Sequence, residues 1–358
     1  MSYKEDIKKI LLAGVQAPSG DNSQPWIFEI GDNRIDIFNL PKKDNPILNF
    51  KQRGSYLAHG ALIENIVIGS SKYGYDPKIT LFPKSGLPDH VASIDLTEIK
   101  QKNDYLYRAI FQRCTNRKKY QSAPLDKEQR NDLSSVVKGM KLEEYMTLKF
   151  VEESGSKLAV GRAVASIEQV ILENKKLHAL LFHDVVWTEK EEKRIKEGLY
   201  IGTMEFSLPQ KAAFYLASHW SLMRLFKVLG LPKLIVNDDA KLYSTGAVLG
   251  AVVIDNETDV DFINAGRIMQ RIWLKSTQYG LAFQPVTALV FAAQRVFASE
   301  ADIFSPNHRK IIEINYNIMR QSFGVKNGTI ATFFRIGHAS PPSARSSRKM
   351  PTIGHDGI

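Results

Sequence analysis

The sequence is poor in cysteine: Cys114 is the single cysteine among its 358 residues. An internal disulfide is therefore excluded, which suits a reducing compartment. The first ten residues, MSYKEDIKKI, are charged and lack the apolar core of a secretory signal. On these grounds we expect a cytoplasmic protein.

Long apolar runs are also missing. No stretch of about 18 uncharged apolar residues occurs, so we expect no membrane-spanning helix and no membrane partner. The nearest candidate, residues 212–231, is interrupted by His219, Arg224 and Lys227. Such a segment is more typical of an amphipathic helix under a lid or at an interface.

The sequence contains no P-loop, no supported nucleophilic triad and no histidine pair with zinc-ligand spacing, so we expect no metal site. The net charge of +10 fits either a nucleic-acid partner or an anionic cofactor with a basic surface. Lysines are spread along the whole chain, and no nucleic-acid-binding motif is present. We therefore expect no nucleic-acid partner.

What is present suits a soluble globular chain of one large or two medium domains, because 44% of residues are hydrophobic and 24% charged. The apolar spacing alternates between helical and strand periods. Helices are predicted at 4–16, 57–73, 102–111, 125–137, 157–172, 261–279 and within 290–321. Strands are predicted at 26–30, 34–38, 79–82, 91–96, 148–152, 247–254 and 331–336.

The sequence contains an internal repeat. Residues 60–75, GALIENIVIGSSKYGY, align without a gap with residues 266–281, GRIMQRIWLKSTQYGL. We interpret the repeat as a duplication, although two apolar helices that end at glycine could converge on the same pattern. The identical pairs are Gly60/Gly266, Ile66/Ile272, Ser70/Ser276, Tyr73/Tyr279 and Gly74/Gly280.

A loop with the sequence APSGDNSQPW follows the first predicted helix. By composition it could be an ordinary connection between a helix and a strand. It also resembles the APSSxNxQPW segment of FMN-dependent nitroreductases, in which the Pro-Ser-x-x-Asn part lies against the flavin of the opposite subunit. The resemblance implies flavin contacts for four residues, Pro18, Ser19, Gly20 and Asn22.

A second element, FQRCTNRKKY, resembles the R-R-S-x-R-x-[FY] opening of the same family. Arg113, Thr115 and Arg117 occupy its three contacting positions. Arginine with a hydroxyl suits a ribityl phosphate, which is a dianion. The resemblance places Arg117 at the N1/O2 edge of the flavin. The alternative interpretation is a basic helix start on the surface.

Two further segments belong to the predicted site by resemblance. After the second repeat, LAFQPVTA occupies the place of the family's backbone contact to flavin N5, with Gln284, Pro285 and Val286 as candidates. Pro285 has no N–H, so the donor would have to be a neighbour. The tail SARSSRKMP resembles the end that completes the phosphate pocket, with Arg348 preferred over Arg345. A flexible basic tail is the alternative.

The resemblance implies an α+β, nitroreductase-like fold in which two fused copies form a pseudo-dimer with one FMN. We expect a first copy at 1–105, which lacks the Arg-Ser-x-Arg element, and a second at 106–358, with 173–240 as a lid-like insertion. The chain would be a monomeric pseudo-dimer or a homodimer.

The expected function is that of an FMN-dependent NAD(P)H oxidoreductase, in which the flavin carries the chemistry and no residue is assigned as catalytic. Hydride would pass from NAD(P)H through flavin N5 to a small planar acceptor, or a small intermediate would be dehydrogenated. The alternative is an FMN-sequestering protein with a closed lid. An adenylating-enzyme partner is possible by analogy alone.

Overall fold

A computed structural model describes residues 3–101 and 104–354 of the chain. Its helices are α1 (Tyr3–Gly14), α2 (Arg53–Lys72), α3 (Tyr107–Gln112), α4 (Lys127–Ser134), α5 (Val136–Gly139), α6 (Ser154–Glu173), α7 (Lys175–His183), α8 (Glu189–Ile195), α9 (Leu208–Ala217), α10 (Trp220–Val228), α11 (Leu231–Tyr243), α12 (Asp259–Gln278), α13 (Ala288–Phe297) and α14 (Pro306–Ser322). Its strands are β1 (Trp26–Ile30), β2 (Arg34–Asn39), β3 (Tyr75–Leu81), β4 (His90–Glu98), β5 (Met146–Val151), β6 (Val185–Val186), β7 (Leu199–Tyr200), β8 (Val248–Ile254), β9 (Ala282–Pro285) and β10 (Thr329–Gly337). Of the predicted helix at 102–111, residues 102 and 103 lie outside the described residues, and the helix observed in the described part is α3, which begins at Tyr107.

The chain divides into two compact units, each built from separated segments. The first unit comprises Met1–Arg113, Glu257–Gln278 and Ser347–Ile358. The second unit comprises Cys114–Asn256 and Tyr279–Ser346.

The first unit contains a four-stranded antiparallel sheet in the order β1-β2-β4-β3. β1 and β2 form the hairpin predicted from alternating apolar residues on either side of Gly31–Asn33, with Ile30 paired to Ile35. β3 is an edge strand, and this explains how it accommodates Pro77 opposite Leu96. The proline also explains why the sequence predicted this strand from residue 79 rather than from Tyr75.

The second unit contains a four-stranded antiparallel sheet in the order β5-β8-β10-β9. Numbering the strands of each sheet along the chain gives the same order, 1-2-4-3, in both units. In both, a 20-residue helix connects the second strand to the third: α2 follows β2, and α12 follows β8. The shared topology confirms the duplication that the sequence repeat predicted.

The two repeated helices, α2 and α12, pack against each other within the first unit with pseudo-two-fold contacts. Glu64 accepts a hydrogen bond from Arg271 Nε at 2.6 Å, and Asn65 Oδ1 accepts one from Gln270 Nε2 at 2.7 Å. Glu64 and Gln270 are equivalent in the repeat, as are Asn65 and Arg271. Position 64 of the first helix therefore contacts the equivalent of position 65 in the second, and position 65 contacts the equivalent of position 64. This reciprocal pairing is that of an isologous dimer interface. Here the interface is contained in one chain.

The predicted copies and the observed units divide the chain in different ways. Each predicted copy contains one complete sheet, since β1 to β4 fall before residue 105 and β5 to β10 after it. The compact units differ because α12 packs on α2, and because Ile353 pairs with Phe28 of β1. The boundary of the copies at residue 105 stays a prediction.

The predicted insertion, 173–240, is folded within the second unit. It contains α7 to α10, most of α11, and the short parallel pair β6 and β7. Its aromatic side chains pack on one another: the Phe214 ring centroid lies 4.8 Å from that of Phe182 and 5.3 Å from that of Phe206. The aromatic half of the insertion thus has a core of its own. Its role as a lid stays a prediction.

Candidate functional site

The loop before β1 has a strained backbone. Asp21, Asn22 and Gln24 have φ values of 44°, 59° and 51°, in the left-handed region that non-glycine residues seldom adopt. Internal hydrogen bonds fix the conformation: Ser19 Oγ accepts from the Gln24 N–H at 2.9 Å, and Gln24 Nε2 donates to the Asn22 carbonyl at 3.1 Å. Backbone strain held in this way is characteristic of ligand-contacting loops.

Gly20 packs closely against a buried polar side chain. A β-carbon at this position would lie 2.9 Å from Asp44 Oδ1. Asp44 in turn accepts a hydrogen bond from Ser55 Oγ at 3.1 Å, at the start of α2. The glycine in PSGDN therefore has a packing reason, in addition to any role in ligand contact.

Two of the predicted arginines reach consecutive carbonyls of this loop. Arg113 follows α3, is 2% exposed, and donates from Nη2 to the Gln16 carbonyl at 2.5 Å. Arg348 donates from Nε to the Ala17 carbonyl at 3.2 Å. The two guanidinium groups thus donate hydrogen bonds to the backbone immediately before the PSGDN segment. Clustered arginines suit a doubly charged phosphate.

Further contacts fix Arg113 and the C-terminal segment. The Arg113 guanidinium carbon lies 4.4 Å from the centroid of the Trp273 ring on α12, a cation–π contact. Asn22 Nδ2 donates to the Ser347 carbonyl at 3.1 Å, and the Lys349 N–H donates to Gln24 Oε1 at 2.8 Å. The tail is therefore hydrogen-bonded to the PSGDN loop, whereas the alternative interpretation was a flexible basic tail.

Other predicted site residues belong to the second unit, in the segment after Cys114. Thr115 forms a parallel bridge with Phe283 of β9, and the Asn116 N–H donates to the Phe283 carbonyl at 3.0 Å. Arg117 donates from Nη1 to both the carbonyl and the hydroxyl oxygen of Thr203, each at 3.2 Å. Arg117 therefore connects the Arg-Cys-Thr-Asn-Arg element to the insertion.

The candidates for the flavin N5 contact form and follow β9. Gln284 pairs with Arg335 in the sheet, and its side chain accepts a hydrogen bond from Arg335 Nε at 2.7 Å. Pro285 pairs with Phe334, and the Val286 N–H donates to the Phe333 carbonyl at 2.9 Å. The Val286 N–H is thus engaged in the sheet, and the identity of an N5 donor stays a prediction.

Arg335 is a central residue that the sequence analysis missed. Its buried guanidinium donates to the Leu242 carbonyl at 3.0 Å, to Thr245 Oγ1 at 2.9 Å and to the Lys118 carbonyl at 2.8 Å, and it stacks on Tyr120 at 3.9 Å. Burial lowers the pKa of the guanidinium and raises that of the Tyr120 hydroxyl. A single charge inside the apolar strand TIATFFRIG was the available signal.

A pair of carboxyl groups lies between α6 and α11 in the second unit. Burial, together with the charge of Asp239, raises the pKa of Glu168 from its ordinary 4.5 to about 8. Burial, then the charge of Asp238, raises the pKa of Asp239 to about 6. The Tyr243 hydroxyl is 3.5 Å from Glu168 Oε1. At neutral pH this pair holds a proton that exposed carboxyls would have lost.

The predicted site residues thus fall into two groups. The first unit brings together the PSGDN loop and two arginines; the second contains the remainder, with Arg345 exposed to solvent. The first group is Pro18, Ser19, Gly20, Asn22, Arg113 and Arg348, and the second is Thr115, Arg117, Gln284, Pro285, Val286 and Arg345.

Two proteins of Mycobacterium tuberculosis are similar to this chain in sequence. An uncharacterised protein of Mycobacterium tuberculosis is 21% identical over 346 residues, which are 94% of this chain and 46% of that protein. A second protein of the same organism, provisionally named an NAD(P)H nitroreductase, is 26% identical over 123 residues. The chain covers less than half the length of either relative, 46% and 36%.

Two solved structures are similar to this chain at low sequence identity. A crystal structure provisionally named a nitroreductase, from Anabaena variabilis, has 9% identity and a TM-score of 0.48, covering 94% of this chain and 88% of that one. The FMN-dependent nitroreductase NfnB of Mycobacterium smegmatis, in complex with NADPH, has 16% identity and a TM-score of 0.37, covering 70% and 94%. No family model matches the sequence.

Within 3–101 and 104–354, no three His, Cys, Asp or Glu side chains are grouped so that they could hold a metal ion. In the same ranges, no helix combines the length and the apolar character needed to cross a membrane.

Proposed function

We propose that the chain binds FMN and catalyses flavin-dependent oxidoreduction with NAD(P)H as the hydride donor and a small planar acceptor. The observation that carries this proposal is the convergence of Arg113 and Arg348 on the carbonyls of residues 16 and 17, at the entrance to the strained PSGDN loop. The curated relative named as an NAD(P)H nitroreductase supports it.

The residues of the first unit fit the phosphate end of FMN. Two guanidinium groups supply positive charge, and Ser19, Asn22 and the loop backbone supply small polar groups beside them. Because α12 fixes Arg113 through Trp273, the charge is held in place before any ligand binds. FMN, when bound, would supply the acceptor and donor of hydride that no side chain of the site provides.

We propose for the residues of the second unit, taken by themselves, the roles that the family resemblance implies. Arg117 would place a cation at the N1/O2 edge and favour the reduced flavin anion. Its hydrogen bonds to Thr203 would couple this charge to the insertion, which would exclude water and select the acceptor. The reverse reaction, dehydrogenation of a small intermediate, uses the same groups.

The experiment is an absorbance spectrum of the purified chain, followed by denaturation and identification of the released flavin. The proposal predicts FMN, held non-covalently, at one per chain. A colourless protein that does not take up added FMN would refute it. Two flavins per chain would refute the account of one complete site.

A further inference from the structure

The outer surface of the insertion carries an apolar patch formed by α9, α10 and the start of α11. Val228 is 84% exposed, Leu208 82% and Leu229 70%. These side chains are aliphatic, and further exposed members of the patch are Leu216, Leu225 and Leu234.

The exposed positions follow helical spacing, opposite to a face that is already packed. On α10, Leu225, Val228 and Leu229 lie on one side. Met223, 1% exposed, and Phe226 pack inward with the aromatic core of the insertion. α10 is therefore apolar on both sides. Its inner side packs against the rest of the insertion, whereas its outer side is exposed to solvent.

The charged residues within 206–237 have one sign. Residues 206–237 include four lysine and arginine residues and no aspartate or glutamate. Arg224, on the same face as Leu225 and Val228, and Lys233, beside Leu234, are both exposed. Lys227 differs, because its ammonium pairs with Glu173 at 2.8 Å. The first acidic residue of α11 is Asp238, which is exposed and lies one turn beyond Leu234.

The arrangement favours an anionic partner over a second copy. A two-fold contact through this patch would bring Arg224 and Lys233 of both copies into one interface, and residues 206–237 supply no acidic side chain to it. Protein interfaces are enriched in aromatic anchors. Tyr215, 54% exposed, is an exposed aromatic residue of this segment, and its other large exposed apolar side chains are aliphatic. Aliphatic side chains interleaved with arginine and lysine are characteristic of helices that lie in a lipid headgroup layer.

We propose that the α9–α11 patch docks the chain on an anionic lipid surface, with the helices in the plane of the membrane. Aliphatic side chains would enter the headgroup boundary while Arg224 and Lys233 reach the phosphates. This proposal departs from the expectation of no membrane partner. It is independent of the flavin site.

Flotation of the full chain with phosphatidylcholine vesicles, with and without phosphatidylglycerol, tests the proposal. We expect binding to the anionic vesicles that weakens with added salt, and little binding to phosphatidylcholine alone. The double variant Leu225→Gln/Val228→Gln should reduce the bound fraction about tenfold. Arg224→Gln/Lys233→Gln should reduce binding to the anionic vesicles while leaving the residual binding to phosphatidylcholine unchanged.

The matched control is Ile314→Gln, a 48% exposed apolar position on α14 of the same unit. It should bind like the unchanged chain, and circular dichroism should show all variants folded. Absence of binding to anionic vesicles at low salt would overturn the proposal. So would a dimer in light scattering that Leu225→Gln/Val228→Gln dissociates, because the patch would then be an interface between copies.

Discussion

Gly60 and Gly266 lie against each other where α2 and α12 cross. A β-carbon on Gly60 would lie 2.9 Å from Gly266 Cα and 2.0 Å from the Ile263 carbonyl oxygen, and one on Gly266 would lie 2.1 Å from the Leu57 carbonyl oxygen. The two glycines occupy equivalent places in the repeat, as do Leu57 and Ile263. Close approach of the two backbones thus explains why both copies keep glycine here.

Gly60→Ala should therefore destabilise the chain, because backbone atoms would have to move to admit the methyl group. We expect a loss of about 1–3 kcal/mol or more in the free energy of unfolding, measured with denaturant. Gly139→Ala is the control, since a β-carbon there meets no atom within 4 Å. Its effect should stay within about 1 kcal/mol. Equal effects would show that the crossing is not as close as described.

Much of the fold could be predicted from the sequence, because the signals were local. The predicted helix at 57–73 matches α2, and the predicted stop at Gly74 is observed with φ of 86°. β9 was missed as a strand: its four residues are too few to show a period, and it is defined by pairing with β10. Each compact unit is built from separated segments of the chain. Which segments belong to which unit depends on tertiary contacts that sequence spacing does not encode.

The candidate site could be predicted in part. The resemblance predicted flavin contacts for Arg113 and Arg348, and the structure places both at one loop, while the flavin contact itself stays a prediction. It gave no indication of Trp273 or Thr203, since these contacts join residues 160 and 86 positions apart and use residue types common in cores and loops. Such partners follow from the tertiary fold alone.

Arg113→Ala should weaken FMN binding by about 1.5–3 kcal/mol, because a charge-assisted phosphate contact is lost. Isothermal titration with FMN and with riboflavin distinguishes a phosphate contact by Arg113 from a purely structural role. Riboflavin lacks the phosphate, so its affinity should change much less. Arg113→Lys, which keeps the charge, should recover part of the FMN affinity. Equal losses for both flavins would make Arg113 a structural residue.

The two tail arginines, Arg345 and Arg348, should differ in how much each contributes to FMN affinity. Arg348 is partly buried and bonded to the Ala17 carbonyl, whereas Arg345 is exposed and belongs to the other unit. Arg348→Ala should weaken FMN binding about tenfold, and Arg345→Ala by less than about twofold, in fluorescence titrations. The reverse order would assign the phosphate contact to Arg345.

Stability should fall as pH rises through the range set by Glu168. The pKa of Glu168 is raised to about 8 by burial and by Asp239, so between its ordinary 4.5 and about 8 the folded chain binds more protons than the unfolded one. The stabilising proton is fully present below the ordinary pKa and is lost as pH passes the folded value.

Glu168→Gln removes the ionisation while keeping the shape of the side chain. The variant should lose less stability than the unchanged chain between pH 5 and pH 8, by on the order of 1–2 kcal/mol, in denaturant titrations at each pH. Glu144→Gln, at an exposed carboxyl, should follow the unchanged chain. Parallel curves for the unchanged chain and Glu168→Gln would mean that Glu168 ionises normally.

The hydrogen bonds between Arg117 and Thr203 should slow opening of the insertion. Thr203→Val removes the hydroxyl that Arg117 contacts and that donates to the Tyr200 carbonyl at 2.8 Å. We expect a few-fold faster reduction of bound flavin by NADPH in stopped-flow measurements, since lid opening can limit access. Thr147→Val, at an exposed position on β5, is the control. An unchanged rate for Thr203→Val would show that the hydrogen bond between Arg117 and the Thr203 hydroxyl does not control access to the flavin.

The most direct test of the central claim is anaerobic mixing of the FMN-loaded chain with excess NADPH or NADH, followed by flavin absorbance. An oxidoreductase should lose the oxidised flavin band with one of the two donors and regain it when a quinone or nitroaromatic is added. If the band persists with both nicotinamides while dithionite abolishes it, the chain stores flavin and the proposed catalysis is contradicted.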